Sequence, residues 1–173
     1  MISQVGFCGI DLNIAHSGSS GIYGWRKNVR VFNNTIYGSW DNGGAGIFVQ
    51  TEKVSGTVIR NNIVWLNGYN GQIRAIASAK SGVVADHNLV FGSNSYPAEE
   101  LQGSTRADPM FVNEAGNDFH LQAGSPAISA GNPNGAPSED FDGKDRGNTV
   151  DTGAFQHLSK IMLPIIMRMV PQG

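Results

Sequence analysis

Apolar and polar residues alternate in short runs along the first half of the chain, and the runs come back. Residues 29–37 read VRVFNNTIY, residues 58–65 VIRNNIVW and residues 83–91 VVADHNLVF. Asn34, Asn62 and Asn88 align at spacings of 28 and 26 residues, each with an apolar run before it and an aliphatic then an aromatic residue after it. A unit of that length cannot bury its own apolar face and must stack on a neighbour. The alternation has period two, is rich in β-branched and aromatic residues, and is bounded by Gly, Ser and Asn, which predicts strands rather than helices.

A second recurrence sets the register. Residues 9–14 read GIDLNI, 46–51 GIFVQT and 72–77 QIRAIA, so one repeat is a first strand, a corner loop, a second strand, an Asn corner, a third strand and a return loop. Alternation sends Ile10, Leu12, Ile14, Ile47, Val49, Ile73, Ala75 and Ala77 inward. It leaves Asp11, Asn13, Phe48, Gln50, Arg74 and Ile76 outside. Ile36, Val64 and Val90 are expected in the core, with Tyr37, Trp65 and Phe91 turned to the opposite face. At each corner the aligned Asn is expected to take the left-handed backbone of a tight turn. Its amide, which both donates and accepts, can then bond to the next layer and form a ladder.

The strand and NN corner over residues 9–92 resemble the coils of the pectate-lyase-like superfamily, which carry a GIxL strand and a VxIxNN corner. The resemblance implies an all-β fold: a right-handed single-stranded parallel β-helix of about three coils, truncated at its amino end, with an extended capping segment at the carboxy end. Further on, residues 108–113 (DPMFVN), 118–131 (DFHLQAGSPAISAG) and 139–156 (EDFDGKDRGNTVDTGAFQ) follow in order. They resemble the segment that closes many bacterial secreted or surface β-helix proteins, where DPxF, FxLxxGSPAIxxG and DxDGxxR then VDxGAxE recur. Gln156 stands where an acid is common, and Lys144-Asp145 where an uncharged pair is usual. The expected organisation is repeats over 1–92, a segment over 93–157 packed on them, and an apolar tail over 158–173 as a strand or disordered. The aromatic column is either a sugar-stacking platform or a strip covered by another part of the chain; Phe111, Phe119, Leu121 and Ile128 are the favoured cover, and residues 93–106 a polar connection.

Composition narrows the reading. A chain of 173 residues is one domain by length, and 23 glycines with only 15% charged residues suit a turn-dense β architecture. A net charge of −2 without a basic stripe excludes a nucleic-acid partner. The single Cys8 excludes an internal disulfide and is expected as a small buried hydrophobe. MISQVGFCGIDLNI is no secretory signal and runs straight into a strand. The expectation is therefore a piece of a longer secreted or cell-surface parent, monomeric when whole. Residues 161–170 are mostly apolar but broken by Pro164 and Arg168, and fall short of the roughly 20 residues a transmembrane helix needs.

In the family resembled, the outer face of the first strand and its loops form a saccharide groove. Stacking would place Asp11, Phe48 and Arg74 in one column and Asn13, Gln50 and Ile76 in another. Trp25 stands in the long loop 16–28, and Trp40 and Asp41 in the return loop 38–45. A ring beside amides, an acid and a base suits a polysaccharide, so Asn13, Trp25, Trp40, Phe48 and Gln50 are the candidate substrate-binding residues. A lyase needs a base and cations to neutralise a uronate, for which Arg74, Lys53 and Lys80 are available. A hydrolase needs two carboxyl groups about 5 to 9.5 Å apart, and Asp11, Asp41 and Glu52 are the candidates. A non-catalytic adhesion stalk is the alternative. His16, His87, His120 and His157 are scattered, with no HExxH, CxxC or GxSxG. Apart from calcium, no cofactor is expected. Asp140, Asp142 and Asp145, with Asp151, surround Gly143 and suggest calcium, although the EF-hand spacing is missing. Pairing with Arg146 or with backbone is the competing use of these acids.

Overall fold

The computed structural model describes residues 10–11, 27–37, 46–49, 52, 54–65, 73–92 and 97–157. The protein is predominantly β. Each repeat contributes one strand to each of three parallel sheets. The first sheet takes β1 (Ile10–Asp11), β4 (Ile47–Val49) and β7 (Ile73–Ala75), and the second β2 (Arg30–Phe32), β5 (Thr57–Arg60) and β8 (Val83–Asp86). The third sheet takes β3 (Thr35–Tyr37), β6 (Ile63–Trp65), β9 (Asn88–Phe91) and a fourth layer, β10 (Ser104–Arg106). Beyond the sheets, β11 (Phe111–Asn113) and β12 (Asp118–Leu121) form an antiparallel hairpin.

The register follows the sequence recurrence. Ile47 pairs with Ile73, Val31 with Ile59, and Ile36 with Val64, which in turn pairs with Val90. Like therefore stacks on like, and the alternation within each strand sends one set of side chains to a shared interior. Val31, Ile36, Ile47, Val49, Val54, Ile59, Val64, Ile73, Ala75 and Val90 fill that interior, closed by Ala79 and Leu101. Burying an aliphatic side chain of this size contributes about 1.5–3 kcal/mol, which makes the apolar stack the main stabilising term.

The other face of the third sheet carries a second core. Ile63 and Leu89 are buried there with Phe111, Leu121 and Ala127, and Trp65, Phe119 and Ile128 pack against them. Tyr37, Trp65 and Phe91 form a column, with centroids 5.0 Å apart for the first pair and 6.3 Å for the second. Phe119 lies 5.1 Å from Tyr37, and Phe111 lies 5.5 Å from Trp65. The strip expected from the sequence does cover the column.

Three local expectations are corrected. The left-handed residues are Asn33 (φ 53°), Asn61 (φ 57°) and His87 (φ 53°), each one position before the aligned Asn. The first corner residue absorbs the unusual backbone, which Asn and His tolerate better than most, and the second makes the ladder. Ala77 is exposed rather than inward: the chain turns there into the 3₁₀ segment Ala77–Gly82, which buries Ala79 instead, and Ile76 packs half-buried against the core. Residues 93–106 are more than a connection, because they include Leu101, which plugs the core, and β10, which extends the third sheet.

Candidate functional site

The first-sheet column forms in the expected register, with Asp11 beside Phe48 and Phe48 beside Arg74. What lies on it is the segment after the third repeat. The bend Pro97–Glu99 brings Glu99 onto the Arg74 guanidinium, whose Nε donates to Glu99 Oε2 at 2.9 Å and whose Nη2 reaches the same oxygen. Arg74 also lies over the Phe48 ring, 4.1 Å from its centroid, and is only 9% exposed. Leu101 N donates to Ile73 O at 3.0 Å, and Lys80 Nζ donates to the carbonyls of Ala98 and Glu100. Arg74 is thus a compensated cation stacked on an aromatic ring. Glu52 sits exposed in a turn at the next corner. Asn13, Trp25, Trp40, Asp41, Gln50 and Lys53, like Cys8 and the tail from 158 onward, lie outside the described residues.

The acids suggested for calcium are used for turns. Asp140 Oδ1 accepts from the N–H groups of Asp142 and Lys144, both at 2.8 Å, and its Oδ2 accepts from Gln156 N at 2.8 Å. Asp145 accepts from Gly147 N at 2.7 Å, and Asp151 from Ser129 N at 2.7 Å and His157 N. Asp142 binds Lys144 Nζ and His120 Nε2, each at 2.8 Å. Among the described residues no three His, Cys, Asp or Glu side chains gather as a metal site. These acids pair instead with backbone N–H groups, with Lys144 and with His120.

Arg146 is the pin of this segment. It is 4% exposed, and its Nη2 donates to the carbonyls of Gly153 and Ala154 at 3.1 and 2.9 Å. Burial pushes its guanidinium below the usual value, against the raising pull of Asp140 and Asp151. Gln156 accepts from Asp151 N at 3.0 Å and donates to Thr149 O at 2.9 Å. An ionised acid could not make the second bond.

The seam between repeats and closing segment is built on the corner asparagines. Asn62 Oδ1 accepts from both N and Nδ2 of Asn34 at 3.0 Å, and Asn88 Oδ1 accepts from both groups of Asn62 at 2.9 Å. A second ladder lies beside the first. Asn61 Nδ2 donates to Asn33 Oδ1 at 3.1 Å and to Asn132 O at 2.8 Å, while Asn61 Oδ1 accepts from Asn132 N at 2.8 Å. Asn33 Nδ2 reaches Asp151 O at 3.0 Å, Gly153 N donates to Asn61 O at 2.7 Å, and Ala154 N to Thr35 Oγ1 at 3.1 Å. One ladder joins repeat to repeat, and the other joins the repeats to what covers them.

Two clefts open along this seam. One of about 360 Å³ is lined by Asp86, His87, Thr105, Pro126, Ala130 and Thr152 among others, and one of about 250 Å³ by Phe32, Asn34, Glu139, Phe141 and Arg146 among others. Beside the larger, Arg60 grips Asp86 through Nε and Nη2 at 2.6 and 2.7 Å, and His87 Nδ1 is 2.9 Å from Asp86 Oδ1. The Arg60 hydrogen bond, helped by His87 and opposed by burial, holds the Asp86 carboxyl below its ordinary value. The signal for Asn33 and Asn61 was present as the doubled Asn of the first two corners. Arg60 and Asp86 stand at the same position of successive repeats, a cross-strand charge pair that alignment of the repeats could have exposed.

Compared with protein-family models, curated proteins and solved structures, the chain matches none. Among the described residues no helix is long and apolar enough to cross a membrane.

Proposed function

We propose that the three stacked parallel sheets wind as a right-handed parallel β-helix, and that the protein is a rigid, non-catalytic module of the cell surface or of a secreted protein, with residues 97–157 closing one end. The observation that carries this reading is the bonding of the second asparagine ladder into the closing segment, at Asn132 and Asp151. Continuous hydrogen bonds from layer to layer and from layer to cover make a stiff unit suited to display. Arg74, on the first-sheet face, is already neutralised by Glu99 and stacked on Phe48, which argues against uronate lysis. Incubating the folded protein with uronate and neutral polysaccharides tests this, with unsaturated and reducing ends as readouts. No turnover is expected, and turnover of any of them that Arg74→Met abolishes overturns the proposal.

A second reading is favoured by the Asp11, Phe48 and Arg74 register: recognition of a polysaccharide, without cleavage, on the first-sheet face. Charge compensation by Glu99 makes a neutral glycan the better ligand. Binding weakened by Phe48→Ala supports it, and a folded protein that binds no glycan on the panel ends it.

A further inference from the structure

His120 of β12 is bonded to the loop formed by residues 139–146. His120 lies between two acids: Nδ1 is 2.6 Å from Asp118 Oδ1, and Nε2 is 2.8 Å from Asp142 Oδ2. Both ring nitrogens face oxygens that only accept, so both must donate, and an imidazole donates twice only when it carries a proton on each nitrogen. The ring also lies 4.3 Å, centroid to centroid, from Phe155, an aromatic face that favours a cation. Phe141 packs edge-on against the same Phe155 at 5.6 Å. The loop therefore closes over Phe155 with Phe141 on one side and Asp142, hooked to His120, on the other.

We propose that His120 is a protonation latch that holds this loop, and with it the wall of the 250 Å³ cleft lined by Glu139, Asp140 and Phe141, against β12. The charged groups facing it are Asp118 from β12 itself, and Asp142 and Lys144 from the loop. Lys144 shares the Asp142 oxygen at 2.8 Å and feels Asp140 as well. When His120 loses a proton, one nitrogen presents a lone pair to a carboxylate, and in the tautomer that bares Nε2 the hook on Asp142 becomes repulsive. Lys144 remains on Asp142, so the loop loosens rather than unfolds.

The titration behaviour agrees. Burial alone would lower the His120 value, but its hydrogen bonds to Asp142 and Asp118 outweigh it and raise it above 6.5. Hydrogen bonding to Lys144 and His120 lowers Asp142, and hydrogen bonding to His120 lowers Asp118, both from 3.8. A raised histidine contributes fully below its unfolded value and is lost as pH rises through its folded value. The two depressed acids contribute above their unfolded value and are lost as pH falls through their folded values. The latch is therefore fully closed between about pH 4 and 6.5 and opens as pH rises above that.

The test is an NMR titration of the whole protein, following the His120 ring nitrogens together with hydrogen exchange at the Asp142 to Lys144 amides. Expected are two protonated ring nitrogens at pH 6, a midpoint above the free-histidine value, and faster intrinsic-rate-corrected exchange as the ring titrates. Each unit of elevation corresponds to about a tenfold change in the opening equilibrium. Asp142→Asn should lower the midpoint, and His120→Gln should make loop protection independent of pH over this range. A His120 midpoint at or below the ordinary value overturns the proposal, as does loop protection that stays flat while the ring titrates. Both readings come from the unsubstituted protein, so the test survives a variant that fails to fold.

Discussion

Asn62 is the residue whose replacement tests the ladder most directly. It is fully buried, and its Nδ2 donates to Val31 O at 2.8 Å, Arg60 O at 3.0 Å and Asn88 Oδ1 at 2.9 Å, while its Oδ1 accepts twice from Asn34. In Asn62→Ala the Asn34 backbone N–H loses its acceptor, at about 1–3 kcal/mol, and the other partners each lose one bond of about 0.5–1.5 kcal/mol. Some of those partners keep another bond, and neighbouring terms do not simply add, so the expected loss is about 4 kcal/mol. Against a typical domain stability of about 5–15 kcal/mol that is severe. Asn62→Asp is sharper still. It keeps the acceptor for Asn34 but turns an ionised oxygen toward three other acceptors, and should be worse than Ala at neutral pH, recovering partly as acid protonates it. Urea unfolding followed by tryptophan fluorescence gives the numbers, with exposed Asn148→Asp as the control, expected within about 0.5 kcal/mol of the parent. An Asn62→Ala protein as stable as that control, or an Asn62→Asp protein no worse than Asn62→Ala, would refute the ladder argument.

Other outcomes follow from the same geometry. Phe111→Ala should cost about 3–5 kcal/mol, because Phe111 is 4% exposed beneath Trp65; the emission of Trp65 should also shift to the red. Asp86 has a depressed folded-state value, so its contribution is present above about pH 4 and is lost as pH falls through that lower value. The stability difference between the parent and Asp86→Asn should accordingly shrink on acidification, measured as urea midpoints across the pH series. At Asn61, φ is 57°, so Asn61→Ala should be about 1 kcal/mol less stable than Asn61→Gly. Both should loosen the segment around Asn132, read by hydrogen exchange.

Much of this architecture was legible because the repeats carry the same instruction at the same place. A polar residue inside an apolar run is costly unless it is bonded, so Asn62 and Asn88, recurring inside such runs, announced a ladder. The aromatic residue after each Asn likewise announced a face needing cover, and Phe111 and Phe119 supplied it. Where the sequence misled, the cause was a contact with no local signature. Arg74 looked outward by alternation, and its strand register is as expected. Its partner Glu99 arrives from 25 residues away on a bend that reads as linker. The left-handed position was displaced by one residue because both members of an NN or HN pair tolerate it. Asp140 accepts from the N–H groups of Asp142, Lys144 and Gln156, a use that spacing alone does not announce. His120 was passed over because its two acids stand two residues before it and 22 after it.

The pairing of Asn61 with Asn132 and of Asn33 with Asp151 has an architectural corollary. The cover grips two particular layers at those corners, through main-chain groups, whereas the inner amide column asks only for another Asn above or below. The bonds that join repeat to repeat and those that hold the cover thus lie on separate residues. A copy of the repeat inserted ahead of Arg30 should therefore stack through its own Asn on Asn34 while the grip on Asn33 and Asn61 stays as it is, so that the two sets can be varied independently in design.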